Sequence, residues 1–292
     1  MLGRNICRYP CEDDPVEDRL FAAQRLDGSK VTRKRFHHCT FANISFKDVE
    51  LTGCEFLDCA FIGCYFRKSQ IRDCRFPGSK FLGCEFPRVS VQSCDFRYTS
   101  FDGCLIPFSE MEYNLPSEPN LQQELTATLA HASEMLGFTK EARAYRLQSI
   151  KAQESHLWAA VRSSSSWYRD HYQGVRRWGA LVSLLASKIN GLLWGYGERW
   201  GVLLRNLILL TFVIFPALLW VFRDGLHAQG QSSVGIGDIM WLSISTILPG
   251  ASTSNVGAIS TAIKAILTAE VFSGIVIASL FVTFIFRTIV RR

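Results

Sequence analysis

Cysteine is the residue whose type and spacing in this sequence most directly suggest chemistry. Eight of the ten cysteines lie between residues 39 and 104, at intervals that are multiples of five. They are Cys39, Cys54, Cys59, Cys64, Cys74, Cys84, Cys94 and Cys104. Zinc sites in small domains use cysteines about two to four residues apart. The observed spacings therefore favour small buried thiols over a zinc site.

The elements that position these cysteines follow from a second pattern. A large apolar residue stands two positions after each cysteine, and such residues recur every five positions from Phe36 to Ile106. Period five fits neither a helix at 3.6 nor a strand at 2. Two inward positions separated by one outward position are local strand alternation, so the remaining residues of each unit must turn a corner. We expect the chain to coil.

A twenty-residue period indicates four sides per coil. An aliphatic residue replaces phenylalanine at Val31, Leu51, Ile71 and Val91, with Met111 next in line. Phe36, Phe56, Phe76 and Phe96 should then stack in one column. Successive coils are about 4.8 Å apart, so two cysteines separated by twenty residues lie beyond the Cβ separation of about 3.8 Å that a disulfide needs.

His37 and His38 next to Cys39 could complete a metal site, but their outward positions favour a polar surface. We expect neither a metal nor a cofactor.

The units resemble the pentapeptide-repeat family over about residues 31–111. That family usually has alanine, not cysteine, two positions before the large apolar residue. The resemblance implies a right-handed quadrilateral β-helix.

Two helices are predicted after the repeats. A turn-rich stretch precedes the first, which Asn120 could cap and which runs to Gly137. The second begins at Thr139 and ends at the serines 163–166. This hairpin has an apolar face that could pack on the solenoid, on a membrane or on another copy.

Two segments near the carboxyl terminus are long and apolar enough to span a bilayer, at about residues 202–222 and 262–287. Trp200 and Trp220 would anchor the first at the two interfaces. Basic residues lie before or at the start of the first span and at or after the end of the second: Arg176, Arg177, Arg199, Arg205, Arg287, Arg291 and Arg292. The positive-inside rule places both termini in the cytoplasm. Residues 178–194 read as an interfacial amphipathic helix, and GYGE at 195–198 reads as a juxtamembrane turn.

The segment between the spans contains an apolar run from Ile239 to Leu248 that is too short to cross and is stopped by Pro249 and Gly250. A half-length helix between two spans is typical of a re-entrant pore loop, here at about residues 236–254. An amphipathic helix lying on the extracytoplasmic surface is the alternative. Within the second span, Glu270 is a functional candidate because an acid at that depth costs about 3 kcal/mol on insertion scales; an interfacial residue that snorkels near the helix start is the alternative.

The order span, half-helix, span resembles the two-transmembrane potassium-channel superfamily, in particular bacterial members with an amino-terminal pentapeptide-repeat domain. Asp238, Trp241, Ser243 and Thr246 match the family's pore helix. Glu270 and Gly274 match the acid and the hinge glycine of its inner helix. The resemblance implies a homotetramer in a bacterial inner membrane, with a lipid bilayer and a permeant inorganic ion as partners.

The predicted filter departs from the family. Residues at that position are Thr246, Ile247, Leu248, Pro249, Gly250, Ala251 and Ser252. The family writes Thr-Val-Gly-Tyr-Gly there, and only Gly250 supplies comparable backbone freedom. Potassium selectivity therefore does not carry over. We expect a wider path for cations, with weak selectivity.

The predicted fold is thus a multi-domain membrane protein: an amino-terminal segment (1–30), a pentapeptide-repeat β-helix (31–111), a helical linker hairpin (112–177), an interfacial helix (178–199) and a two-transmembrane pore domain (200–292). No P-loop, GxSxG or HExxH motif points to an enzyme. Residues 33–111 carry eleven Lys and Arg against nine Asp and Glu, the wrong balance for mimicry of nucleic acid. We expect an ion channel whose cytosolic solenoid serves assembly or binds a protein partner; the alternative is a non-conducting membrane scaffold.

Overall fold

The computed structural model describes residues 14–228, 234–247, 256–258 and 260–290. The chain forms two compact units, Met1–Leu184 and Leu185–Arg292. The strands of the first unit are β1 (Val16–Glu17), β2 (Leu20–Ala22), β3 (Lys30–Thr32), β4 (Arg35–His37), β5 (Thr40–Ala42), β6 (Glu50–Thr52), β7 (Glu55–Leu57), β8 (Ala60–Ile62), β9 (Gln70–Arg72), β10 (Lys80–Leu82), β11 (Ser90–Gln92) and β12 (Ser100–Asp102).

These strands form a four-sided solenoid with parallel pairing at a register of twenty residues. Phe41 pairs with Phe61, and Leu51 pairs with Ile71. Three sides are the sheets β1-β4-β7, β12-β10-β8-β5-β2 and β11-β9-β6-β3, and the fourth is a ladder of isolated parallel bridges through Tyr65. The coil predicted from the twenty-residue period is confirmed. It begins at β1, upstream of the predicted boundary at residue 31.

Stacked phenylalanines fill the interior. The ring centroids of Phe36 and Phe56 are 5.1 Å apart at an interplanar angle of 6°, and Phe56 and Phe76 repeat this at 5.0 Å. Each buried phenylalanine contributes about 1.5–3 kcal/mol. The chain turns each corner at a residue with left-handed backbone, such as Asp58 with φ 50° and Gly78 with φ 69°. Gly, Asn and Asp tolerate that conformation best, which explains their frequency two residues after the large apolar residue.

The carboxyl-terminal end of the solenoid is covered by α1 (Phe108–Met111), a 3₁₀ turn (Glu112–Asn114), α2 (Pro119–Met135) and α3 (Thr139–Arg162). The Asn114 amide replaces the next coil, donating to the Val91 carbonyl at 3.0 Å and accepting from the Cys94 N–H at 2.9 Å. Leu125 and Leu129 of α2 join the solenoid core. Among the three surfaces expected for the helical hairpin, packing on the solenoid is therefore observed.

One predicted helix start is wrong. We expected Asn120 to cap the first linker helix, but α2 begins at Pro119, follows Glu118 and has no side-chain cap hydrogen bond. Proline is favoured in the first helical turn, because its missing N–H has no intrahelical partner there. The predicted break after α3 is confirmed, since Ser163 adopts φ 53°. The helices α4 (Ser166–His171) and α5 (Val175–Trp194) follow.

The second unit contains α6 (Trp200–Leu209), a π-helical turn (Leu210–Ile214), α7 (Phe215–Val221), β13 (Leu226–Ala228), α8 (Ile236–Ile247), β14 (Val256–Ala258) and α9 (Thr261–Val290). The predicted turn at GYGE is a 3₁₀ turn, Gly195–Gly197. Two helical stretches, Trp200–Val221 and Thr261–Thr283, are long and apolar enough to cross a membrane by length and composition. Strands β13 and β14 pair antiparallel, which sets the end of the first stretch beside the start of the second.

Candidate functional site

Helix α8 runs from the joined ends of the two apolar stretches to the middle of both. Near its start, Ile239 packs in a cluster with Leu219 and Ile263. At its end, Ile247 meets Gly274, which lies 13 residues after Thr261. That separation is about 20 Å along α9 at 1.5 Å per residue. The short helix therefore stops roughly halfway along its neighbours.

Ser243 joins α8 to both neighbouring helices at one point. Its side chain is fully buried. Its Oγ lies 2.9 Å from the Thr211 carbonyl oxygen, and it also forms a hydrogen bond with Glu270 Oε1. Glu270 is 0% exposed, and its Oε2 has no hydrogen-bond partner among the described residues. One hydroxyl thus connects the first stretch, α8 and α9.

The Thr211 carbonyl is free to bind Ser243 because of the π-helical turn. Within this turn the Phe215 N–H bonds the Leu210 carbonyl, so it is not the donor to Thr211. The next residue is Pro216, which has no N–H. A carbonyl left without its helical donor in an apolar setting needs another partner, and the Ser243 hydroxyl is that partner.

Gly274 allows the close contact between α8 and α9. A Cβ at this position would lie 2.7 Å from the Ile247 carbonyl oxygen and 3.0 Å from Ile247 Cγ1. Any larger residue would therefore push the end of α8 away. Helix α9 is continuous through Gly274, and the hinge role expected from the resemblance stays a prediction.

The remaining predicted pore residues are distributed along α8. Asp238 lies in its first turn, where Oδ2 accepts from the Gly235 N–H at 2.9 Å and a carboxylate suits the helix dipole. Trp241 is 53% exposed. The Thr246 hydroxyl donates to the Leu242 carbonyl at 2.7 Å. The other filter candidates, Leu248, Pro249, Gly250, Ala251 and Ser252, lie outside the described residues.

The predicted thiol sites are buried in the solenoid and make a specific hydrogen bond. The Cys59 thiol donates to the Phe36 carbonyl at 3.3 Å, one coil below. Ser79 places its hydroxyl 2.7 Å from the Phe56 carbonyl in the same way. Cysteine and serine thus make the same hydrogen bond at this position, which is also occupied by the apolar residues Ile44, Val49 and Val89. The hydrogen bond with Cys39 and burial raise the pKa of the Cys59 thiol, so it stays protonated.

His37 and Cys39 do not converge. Cys39 is 0% exposed and donates to the Val16 carbonyl inside the solenoid, whereas His37 Nδ1 lies 3.5 Å from Glu17 Oε1 on the outside. Within the described ranges, no group of three His, Cys, Asp or Glu side chains could hold a metal ion.

The sequence did not reveal three contacts. The partners of Glu270 and Thr211 depend on the π-helical turn, for which only Pro216 is a local signal. His156 lies in α3, where its position in the sequence indicates no partner, but its ring nitrogens each lie 3.0 Å from a tyrosine hydroxyl, those of Tyr168 and Tyr172. Burial lowers the pKa of His156.

Comparisons with known proteins identify the solenoid. The family model "Pentapeptide repeat region" matches residues 34–110. This part of the chain is a pentapeptide-repeat region. The match ends before both apolar stretches, and no curated protein matches the chain in sequence.

Three solved structures match part of this chain at low sequence identity. QnrB1, a plasmid-mediated fluoroquinolone resistance protein, is 21% identical over 29% of this chain and 47% of its own, with a TM-score of 0.19. HetL, involved in heterocyst differentiation regulation in the cyanobacterium Nostoc sp. strain PCC 7120, is 8% identical over 32% and 42%, with a TM-score of 0.20. A pentapeptide repeat protein of the Arabidopsis thaliana thylakoid lumen is 14% identical over 35% and 76%, with a TM-score of 0.11. The chain spans less than half the length of the first two.

Proposed function

We propose that this chain is one subunit of an oligomeric membrane ion channel in which α8 is a re-entrant pore helix. The observation that carries the proposal is that α8 stops halfway along two helices long enough to span a bilayer. A helix lying flat on the membrane surface would contact only the ends of such spans. Contacts of α8 with Thr211 and Gly274, near the middle of both, favour the re-entrant arrangement.

The direction of α8 favours cations. Its carboxyl-terminal end, at Ile247, carries the partial negative charge of the helix dipole. In the proposed arrangement this end lies near the middle of the bilayer. In a low-dielectric environment that dipole stabilises a cation near the axis. Residues 246–252 would line the path, and their single glycine fits a wider, weakly selective path better than a potassium filter.

Several copies are needed to enclose a path, because two spans and one short helix cannot surround it. Large apolar side chains of α9, among them Phe272 and Ile275, are exposed in the single chain. They supply the surface that lipid and neighbouring copies would cover. We propose a homotetramer in a bacterial inner membrane with both termini in the cytoplasm, on the basis of the resemblance and of the arginine distribution.

The pentapeptide-repeat region would then be a rigid cytosolic module for assembly or for binding a protein partner. Its outward charges alternate in sign up one side, where Arg75 lies 3.3 Å from Glu55 and 3.9 Å from Asp95. Such a ladder supports the coil register, and it separates the acidic residues of this side by arginines, unlike the continuous acidic surface of a nucleic-acid mimic.

The direct test is ion flux through the purified full-length protein in liposomes, with potassium, sodium and chloride gradients. We expect cation flux that Thr246→Val and Pro249→Ala change in rate or selectivity. Gly237→Ala is the matched control on α8, because no heavy atom lies within 4 Å of the added Cβ. Bi-ionic reversal potentials then give the permeability order.

Two results would contradict the channel proposal. A monomer in detergent and in lipid, by mass and by particle imaging, leaves no enclosed path. If protein that is inserted and oligomeric shows no flux of any ion, the alternative of a membrane-anchored scaffold that binds a protein partner would be favoured.

A further inference from the structure

Glu270, Ser243 and the Thr211 carbonyl form two hydrogen bonds whose protons can be counted. The Ser243 hydroxyl has one hydrogen. A backbone carbonyl can only accept, so the 2.9 Å bond from Ser243 Oγ to Thr211 uses that hydrogen. The bond between Ser243 Oγ and Glu270 Oε1 then needs a hydrogen from the carboxyl group. An ionised Glu270 would leave one of the two contacts between acceptors alone.

We propose that Glu270 is a proton-binding site, and that the protonated acid donates to Ser243 and thereby ties α8 to both neighbouring helices. The surroundings of the carboxyl support this. Glu270 is fully buried, and its Oε2 has no hydrogen-bond partner in the described part of the chain. A carboxylate so placed would be an unpaired buried charge, which is costly, whereas a neutral acid needs one acceptor and has it.

Other ionisable groups on the packed elements do not compensate a charge at Glu270. Helix α8 carries Asp238, five residues before Ser243, and α6 carries Arg205, six residues before Thr211. Helix α9 carries Lys264, six residues before Glu270, and Arg287 far beyond it. The π-helical turn and α7 carry none. Along their own helices, Asp238 is about 8 Å from Ser243, and Arg205 and Lys264 are each about 9 Å from Thr211 and Glu270 respectively. None of the three hydrogen-bonds to the carboxyl.

A proton fits this site better than a metal cation. Hard cations take about six oxygen ligands. Among the residues that the structure describes, the hydrogen bonds bring together the Glu270 carboxyl, Ser243 Oγ and the Thr211 carbonyl, and the last two are already hydrogen-bonded to each other. Sodium or potassium in place of the proton is therefore an outcome for the experiment to detect.

Loss of the proton has a structural consequence. The single Ser243 hydrogen could then satisfy either Thr211 or Glu270 but not both, so α8 would lose its link to one neighbour. Because this concerns only protonation, it holds whether or not the protein conducts ions.

Infrared spectroscopy of the full-length protein in lipid tests the proposal directly. At neutral pH exposed carboxyl groups are ionised, so a carboxylic acid C=O band reports a retained proton. We expect such a band in the wild type and its loss in Glu270→Gln. Carboxyl-labelled glutamate should shift the band. Asp238→Asn is the matched control on α8 and should leave it unchanged.

A second variant guards against a folding defect in Glu270→Gln. Ser243→Ala keeps the acid and removes its acceptor, so the band should persist and move to higher frequency, as for an acid that donates no hydrogen bond. Spectra in sodium, in potassium and in a large organic cation separate proton from metal. A wild type without the band at neutral pH overturns the proposal, and a band abolished by sodium or potassium reassigns the site to that cation.

Discussion

Replacing Gly274 with alanine tests the close contact between α9 and the end of α8 at Ile247. The new Cβ would lie 2.7 Å from the Ile247 carbonyl oxygen, whereas ordinary Cβ contacts begin at 3.4 Å. Relief requires the two helices to separate by about 0.7 Å, because the obstructing atom belongs to the backbone of α8 and cannot rotate away.

The stability cost follows from two opposing terms. Overpacking of a close contact costs about 1–3 kcal/mol. Alanine in place of a helical glycine returns about 0.5–1 kcal/mol. We therefore expect Gly274→Ala to lower the free energy of unfolding by about 0–2.5 kcal/mol, which corresponds to a fall in melting temperature of up to several degrees for a protein of this size.

Two glycines serve as controls, since no heavy atom lies within 4 Å of a Cβ added at Gly201 in α6 or at Gly237 in α8. Alanine there should leave the melting temperature unchanged or raise it. The assay is thermal unfolding of purified protein in one detergent, followed by flux in liposomes, where Gly274→Ala should alter the rate because the displaced Ile247 borders the predicted path. The reasoning is refuted if Gly274→Ala melts at or above the temperature of Gly237→Ala.

Three further predictions concern the first unit. Cys59→Ser keeps a donor to the Phe36 carbonyl and should cost less than about 1 kcal/mol in unfolding free energy, whereas Cys59→Leu overpacks the coil and should cost about 1–3 kcal/mol or more; equal denaturation midpoints would contradict this. Phe61→Ala removes a fully buried ring and should cost about 3–5 kcal/mol, measured in the same way, with Ile62→Ala on the outward face as a control near zero. Burial lowers the pKa of His156, so the folded protein binds that proton less readily than the unfolded chain and loses stability as the pH falls below about 6.5. His156→Gln should reduce this acid-induced fall in melting temperature. If the variant shows the same pH dependence of melting temperature as the wild type, the effect does not come from His156.

The solenoid could be predicted in detail because each of its residues repeats a constraint. Every fifth position must be large and inward, and every twentieth must match the residue one coil below, so columns such as Phe36, Phe56 and Phe76 are fixed by counting. The two long apolar helices and the short helix between them follow from length and hydropathy alone. These features depend on local patterns, which a single sequence shows.

Contacts made by single side chains could not be predicted in the same way. The partner of Ser243 depends on a π-helical turn that shifts the register of one helix by one residue, and no repeat marks it. The tyrosines that hold His156 stand twelve and sixteen residues away and meet it only because the chain turns back at Ser163. Even the start of α2 was misplaced by our choice of Asn120, although Pro119 was the better signal.

The polar contacts of α8 also explain how an otherwise apolar helix keeps one position along its neighbours. In the proposed membrane setting, apolar packing alone would resist sliding weakly, because lipid chains would cover the same surface equally well. A donor fixed to one carbonyl has no such freedom. Pro216 leaves the Thr211 carbonyl without an N–H, Ser243 supplies the missing donor, and that use of its hydrogen obliges Glu270 to bring a proton of its own. With a residue that has an N–H at position 216, the carbonyl could be satisfied within its own helix, and Ser243 would be free to donate to an ionised Glu270. The protonation that we propose for the acid in one apolar stretch thus depends on the proline in the other, through a helix that contacts both.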